Sequence, residues 1–183
     1  YSHSDCGGYT SLHGNVRTVE LMKRWCELAA FAPVMRSHEG NRPDDNLQYD
    51  SSEDLLACFA RWSRVHAYLK PYVRSLCDEA SATGLPLQRP LFMHHPEDPE
   101  LFSIQDQYLY GADLLVAPVI EEGVDTRMVR LPGASPWRHC WSGEEFLPGQ
   151  HRIQAPLGCP PVFYRPDSAF APLFQGLAGA LSR

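Results

Sequence analysis

Apolar positions along the 183 residues fall into two regimes, which predict a helical first half and a strand-rich second half. Between residues 17 and 31, Val19, Leu21, Met22, Trp25, Cys26, Leu28 and Ala29 approximate the spacing of one helical face, and Pro33 marks its end. Residues 51–82 carry the clearest pattern. Leu55, Phe59, Trp62, His66, Leu69, Val73, Leu76 and Ala80 recur there at alternating steps of four and three. Ser51 with Asp54 resembles a capping box at the start, and Gly84 is placed to finish the helix. Pro71 removes a backbone donor, so this helix should kink or divide. His66 lies on the apolar stripe and reads as a hydrogen-bonded core histidine.

The periodicity then changes. Residues 87–93 are a short strand candidate, and 104–110 a helical turn. Residues 113–120 read as a buried strand, with further short strands at 128–131, 137–141 and 161–165. Pro132-Gly133, Ser142-Gly143 and Pro148-Gly149 separate them as turns. Short strands with frequent turns predict an all-β sandwich or barrel, with a boundary near Gly111 that divides the chain into 1–111 and 112–183.

Composition narrows the function classes. Hydrophobic residues at 44% and aromatics at 11% suit a buried core rather than disorder. A formal net charge of −6, with no block of Lys and Arg, argues against a nucleic-acid or anionic-membrane partner. No apolar run approaches the length needed to span a bilayer. The cysteines Cys6, Cys26, Cys58, Cys77, Cys140 and Cys159 form no C-x-x-C pair, and free thiols in a reducing, cytoplasmic compartment are expected. His94 and His95 are adjacent and usually point apart, so no metal site is expected there.

Two polar segments carry the candidate chemistry. Tyr1-Ser2-His3-Ser4-Asp5-Cys6-Gly7-Gly8-Tyr9 places a carboxylate before a glycine pair and an aromatic after it. Two glycines allow a sharp turn at positive φ and a close approach to a ligand, so Asp5 and Tyr9 can converge on one small polar molecule. The second segment, residues 35–46, joins two predicted helices and is too long and polar for a simple connection, as binding loops often are. Glycoside hydrolysis needs two carboxylates at a defined separation. Asp5, Glu39, Asp44, Asp45 and Asp50 qualify by type, but spacing along the chain gives no distances, so no catalytic pair is assigned. The residues alone reach a polar-ligand site on an α/β scaffold with an all-β appendage.

Several blocks nevertheless resemble one family in order. His3-Ser4-Asp5-Cys6-Gly7-Gly8-Tyr9, Arg36-Ser37-His38, Leu87-Gln88-Arg89-Pro90-Leu91-Phe92 and Asp106-Gln107-Tyr108-Leu109-Tyr110-Gly111 are similar to the C-terminal part of glycoside hydrolase family 31, and Trp137 to Gly143 fits its following β-domain. The resemblance implies a (β/α)8 barrel, with Ser2 to Asp5 ending strand seven, residues 87–92 forming strand eight, and helices between 17 and 83 in the outer layer. It implies that His38 binds sugar hydroxyls and that Asp5 shapes the same subsite. His38-Glu39-Gly40-Asn41-Arg42-Pro43 and Tyr9 resemble the sulfoquinovosidase branch, in which the tyrosine helps hold a sulfonate. The implied partner is a small glycoside such as sulfoquinovosyl glycerol. Cys6 departs from the aliphatic residue usual at its position. The family's nucleophilic and acid/base Asp residues lie before the Gly-Gly motif, so no catalytic residue is expected in this chain. An α-glucosidase, an α-xylosidase and a non-catalytic carbohydrate-binding module remain alternatives.

Overall fold

The computed structural model describes residues 2–38 and 40–181; Tyr1, Glu39, Ser182 and Arg183 lie outside the described residues. The first helix, α1, spans Val19–Ala29, with the Thr18 hydroxyl accepting from the Leu21 N–H at 3.2 Å. Such a cap satisfies one of the four backbone donors that a helix start leaves open. The long predicted helix is two: α2, Glu53–Tyr68, and α3, Lys70–Thr83. Pro71 sits in the first turn of α3, where its missing N–H has no partner to lose, so it starts a helix rather than kinking one. Gly84 ends α3 at φ 79°. The expected cap is displaced by one residue. Ser52 caps α2, and the Ser51 hydroxyl accepts instead from the Gln48 N–H at 2.7 Å.

Eight short strands follow: β1 Gln88–Arg89, β2 Tyr108–Tyr110, β3 Leu114–Val116, β4 Thr126–Leu131, β5 Trp137–His139, β6 Glu145–Phe146, β7 Gly149–Gln154 and β8 Val162–Tyr164. Two short helices, α4 Ala171–Gln175 and α5 Leu177–Leu181, close the described chain. A six-stranded sheet has the order β1-β2-β3-β8-β5-β6, every named pair in it antiparallel, and β4 pairs with β7 in a second, two-stranded sheet. Both faces of the larger sheet are covered. Leu114, Val116, Val162 and Tyr164 turn to the helices, where Trp62, Leu69, Tyr72 and Phe174 pack. Leu109, Leu115 and Phe163 turn to the opposite core with Val129, Leu131, Trp137 and Ile153. Side chains alternate across a strand, so a central strand between two layers is apolar at every position.

Tyr72 ties the helices to this sheet. Its hydroxyl donates to the Tyr110 carbonyl at 2.7 Å and accepts from the Asp113 N–H at 3.3 Å. Gly111, at φ 67°, makes the turn beneath it, and a Cβ there would stand 2.2 Å from the Tyr72 hydroxyl. The expected boundary near Gly111 thus coincides with the β2–β3 turn inside the six-stranded sheet. A second tie runs from α1. Buried Arg24 donates to the carbonyls of Val124 (2.8 Å) and Ala155 (2.9 Å), and pairs with buried Glu27 at 3.1 Å. Glu27 in turn accepts from the Gly158 N–H at 2.6 Å.

Several expectations for the second half are overturned. Residues 87–93 give only a two-residue strand, because Pro90 has no N–H to extend the ladder and the chain turns into a 3₁₀ helix at Leu91–Met93. Residues 104–110 end in strand β2, and the short helix lies upstream at Pro99–Ser103. Strand eight of a barrel should run parallel to its neighbour, whereas β1 pairs antiparallel with β2. The segment parallel to Cys6 contains Ser37, with the Cys6 N–H donating to the Arg36 carbonyl at 2.9 Å. His66 is half-buried against the Ala30 carbonyl at 3.4 Å, and burial lowers its pKa.

Replacing Arg24 with Ala should destabilise the intact polypeptide that carries this chain by about 3–5 kcal/mol, because it strands Glu27 as an uncompensated buried charge. Urea titration measures it, and an unchanged midpoint would show that the tie carries no stability. His139 gives a pH test. Its ring is 8% exposed, with Nδ1 3.0 Å from the Ser142 hydroxyl, and burial pulls its pKa from 6.5 to about 4. The unfolded chain therefore takes up this proton first, and stability falls as pH drops from about 6.5 through about 4. The full effect is roughly 3 kcal/mol. A His139→Gln variant should show a correspondingly shallower acid loss in stability measured against pH.

Candidate functional site

The Gly-Gly turn is held from behind by α1. Gly7 and Gly8 have φ of 80° and 86°, and the Gly8 N–H donates to the Asp5 carbonyl at 2.8 Å. A Cβ on Gly7 would stand 2.2 Å from the Met22 sulfur, so both the left-handed backbone and the close packing require glycine. Trp25 adds a second fixed point by donating from its indole to the Ser4 hydroxyl at 2.9 Å.

Asp5 lies beneath the turn, 7% exposed, and accepts from Arg36 Nε at 2.5 Å; His3 Nε2 is 3.9 Å away. The hydrogen bond from Arg36 to this carboxylate raises the guanidinium's pKa further. An Asp held in this way orients its neighbours, because its hydrogen-bonding capacity is already engaged by Arg36.

Tyr9 and His38 meet. Their ring centroids are 4.4 Å apart, and Tyr9 is 60% exposed. His38 Nδ1 accepts from the Gly40 N–H at 3.0 Å, so the neutral ring carries its proton on Nε2. The phenol and the Nε2–H are therefore neighbouring neutral donors. Gly40 makes this possible at φ 82°, packed against Arg17 and the Tyr9 carbonyl.

The polar loop of residues 40–48 is fastened to the Gly-Gly turn by a network that the sequence reading did not identify. Arg17 donates to the Gly8 carbonyl at 2.5 Å and to Gln48 Oε1 at 3.3 Å, while its own N–H donates to Asn46 Oδ1 at 3.0 Å. Asn46 is buried and donates to the Ser11 hydroxyl at 2.8 Å and the Arg42 carbonyl at 2.9 Å. Arg42 reaches the Ser11 hydroxyl and the Asn15 carbonyl. The one signal in the sequence was an unusual density of amide and guanidinium groups around two short loops.

Of the candidate carboxylates, Asp5 is buried in this cluster, Asp44, Asp45 and Asp50 are exposed on the loop and its exit, and Glu39 lies outside the described residues. His94 faces buried Arg89 at 2.9 Å, and His95 lies 3.4 Å from Glu97 and 3.3 Å from Arg165. Among the described residues no His, Cys, Asp or Glu group is arranged to hold a metal ion. Hollows of about 510 and 500 Å³ lie elsewhere: one between α1 and residues 118–122, the other beside Phe92 and Phe102.

A Gly-Gly turn over a buried carboxylate–guanidinium pair, with an aromatic–imidazole contact at its mouth, brings the candidate residues Asp5, Tyr9 and His38 together on an α/β scaffold. Comparison with known proteins places it more narrowly. Residues 1–76 match the family model described as the glycosyl hydrolases family 31 TIM-barrel domain, and residues 84–170 the glycosyl hydrolase family 31 C-terminal domain. The chain belongs to glycoside hydrolase family 31. It is 56% identical to a sulfoquinovosidase of Agrobacterium fabrum over 97% of its own length and 27% of that protein's. It is 48% identical to a sulfoquinovosidase of Escherichia coli, over 96% of this chain and 26% of that one. A solved family 31 sulfoquinovosidase from E. rectale, in complex with an aza-sugar inhibitor, superposes with a TM-score of 0.90 at 46% identity, covering 97% of this chain and 26% of that one. The chain thus spans about a quarter of the length of the curated relatives it matches.

The Asn46 network makes a local prediction. In the intact polypeptide, Asn46→Ala leaves the Arg17 N–H without its acceptor and should cost about 1–3 kcal/mol. Hydrogen exchange should quicken at the Arg17 and Gly40 amides and stay unchanged in β3. Exchange that is unaltered at those two amides would mean the network does not fasten the loop.

Proposed function

We propose that the polypeptide carrying this chain is a retaining α-glycosidase that cleaves α-sulfoquinovosides, such as sulfoquinovosyl glycerol. The observation that carries the reading is the Tyr9–His38 contact at the Gly-Gly turn, in a chain 56% identical to a sulfoquinovosidase. In this reading residues 2–6 and the segment around Ser37 are neighbouring parallel strands of a (β/α)8 barrel, and the six-stranded sheet that begins at β1 belongs to a β-sandwich domain that follows. The Cys6–Ser37 parallel bridge supports that placement. On this reading Asp5, Tyr9 and His38 stand at or just beyond the C-terminal ends of barrel strands, where such barrels build their sites.

Within this reading each residue has a distinct role. His38 offers its Nε2–H to a sugar hydroxyl, while the Tyr9 phenol serves one oxygen of the sulfonate without bringing a fixed charge. Asp5, held by Arg36, keeps the turn and Tyr9 in register. The two carboxylates of the reaction come from outside this chain: one attacks the anomeric carbon to form a glycosyl-enzyme, and the other protonates the leaving oxygen and then activates water. This chemistry calls for no metal or cofactor. Free thiols at all six cysteines support a cytoplasmic setting. No helix among the described residues is long and apolar enough to cross a membrane.

The intact polypeptide should hydrolyse an aryl α-sulfoquinovoside with a far higher kcat/KM than the matching α-glucoside. His38→Ala should lower kcat/KM by about tenfold or more on either substrate, and Tyr9→Phe by about tenfold on the sulfoquinovoside alone. Equal rates of the unaltered enzyme on both substrates would remove the sulfonate assignment. A Tyr9→Phe loss shared by both substrates would remove its role in reading the anion.

A further inference from the structure

The adjacent residues His94 and His95 each face an arginine from a different part of the sheet. Arg89 of β1, its side chain fully buried, reaches His94 Nε2 from Nη1 at 2.9 Å. Its other nitrogens donate to Glu79 of α3 at 2.6 Å and to the Pro86 carbonyl at 2.7 Å. Arg165, just past β8, reaches His95 Nε2 from Nη2 at 3.3 Å, while its guanidinium lies over the Trp137 ring at 4.4 Å. His95 is buried against the β4–β5 turn, where a Cβ on Gly133 would stand 2.8 Å from its Cε1.

Arginine donates and has no acceptor, so both imidazoles accept in these contacts. Each ring is therefore neutral and carries its proton on Nδ1. For His95 that nitrogen faces Glu97 Oε1 at 3.4 Å. The ends of the segment are fastened differently. Leu91 is fully buried, and Asp98 accepts from Arg130 at 2.9 Å. Between them, residues 92–97 are held by the stack of Phe92 on Phe102, centroids 4.6 Å apart, and by the two imidazole–guanidinium contacts. Pro96 and Glu97 are exposed.

We propose that residues 92–97 form an acid-released strap, closed while His94 and His95 accept from Arg89 and Arg165 and opened when either ring takes a proton at Nε2. Protonation there removes the acceptor and sets an imidazolium against a guanidinium. The other charged groups that face the pair are Glu79, Glu97 and Asp98. Glu79 and Asp98 are already engaged by Arg89 and Arg130, and Glu97 approaches the Nδ1 side of His95. Burial and then the Arg89 charge hold the His94 pKa below 6.5, with Glu79 opposing them. The open strap thus binds the proton more readily than the closed one, and closure weakens as pH falls below about 6.5. Opening uncovers Phe92 and widens the hollow of about 500 Å³ that Gln88, Arg89, Phe92 and Phe102 help to line. Gln88 also accepts from the Ser2 hydroxyl at 2.6 Å, so the strap adjoins the segment that leads to Asp5. This inference does not rest on the glycosidase reading.

The test is hydrogen exchange in the intact polypeptide between about pH 7.5 and about pH 5, a range in which ordinary carboxylates stay ionised. Labelling times are scaled to the intrinsic rate at each pH. The amides of His94, His95 and Asp98, bonded to the Leu91, Phe92 and His95 carbonyls, report on the strap. Their exchange should quicken by about tenfold across the range, while that of β3 stays unchanged. His94→Gln keeps an amide oxygen that accepts from Arg89 but takes up no proton. It should remain closed at neutral pH and show a several-fold smaller acid response. Exchange that does not change with pH, a change shared with β3, or an undiminished response in His94→Gln would each overturn the proposal. The first two outcomes are read on the unaltered protein, so the matter is decided even if the variant fails to fold.

Discussion

The constraint on which the rest depends is that the central strands of the six-stranded sheet must be dry on both sides. Leu114, Leu115 and Val116 of β3 are 0%, 0% and 1% exposed, although their side chains alternate between faces. Each such side chain contributes about 2 kcal/mol when removed from water, but only if a layer covers its face. The helices cover one side and the β4–β7 pair the other. Tyr72 over Gly111 then fixes where the helix layer sits, because a side chain at Gly111 would collide with the phenol. Arg24 and Glu27 fix how α1 meets the loops at Val124 and residues 155–158. Buried ion pairs are poor sources of net stability, so this tie serves position more than energy.

That position matters because α1 carries the back wall of the site. Met22 and Trp25 press on Gly7 and Gly8, so the sheet that anchors α1 also sets the height of the turn. The polar loop is then joined to the turn by hydrogen bonds from Arg17 and Asn46, not by an apolar core. Such networks define a geometry when every member is satisfied and become costly when one is lost. Holding two neutral donors side by side is worth little in water. It becomes worth much more when the donors are fixed before a ligand arrives, since no ordering cost is left to meet on binding.

The helices are not passive packing in this arrangement, because α1 contributes both to the turn, through Met22 and Trp25, and to the Arg24 tie.

The helices were legible in the sequence because their information is local. A residue's helical neighbours lie three and four positions away, so the stripe from Leu55 to Ala80, the break at Pro71 and the stop at Gly84 could be read directly, with an error of one residue at the Ser52 cap. The Gly-Gly turn, with Asp5, Tyr9 and His38, was also legible, through a motif. Strands depended on partners far away. Residues 108–110 look helical in isolation and become β2 because Leu114–Val116 lies opposite, while polar β7 was missed because only Ile153 of its six residues is buried. Pairing direction was likewise invisible: nothing local to residues 87–92 or 34–38 says which lies beside Cys6. Nor could the chain alone reveal that Arg17, distant in sequence from Gln48, closes the loop onto the turn. Local periodicity set the helices and the turn, whereas strand pairing, buried polar ties and the meeting of Tyr9 with His38 were decided by contacts between segments that only folding brings together.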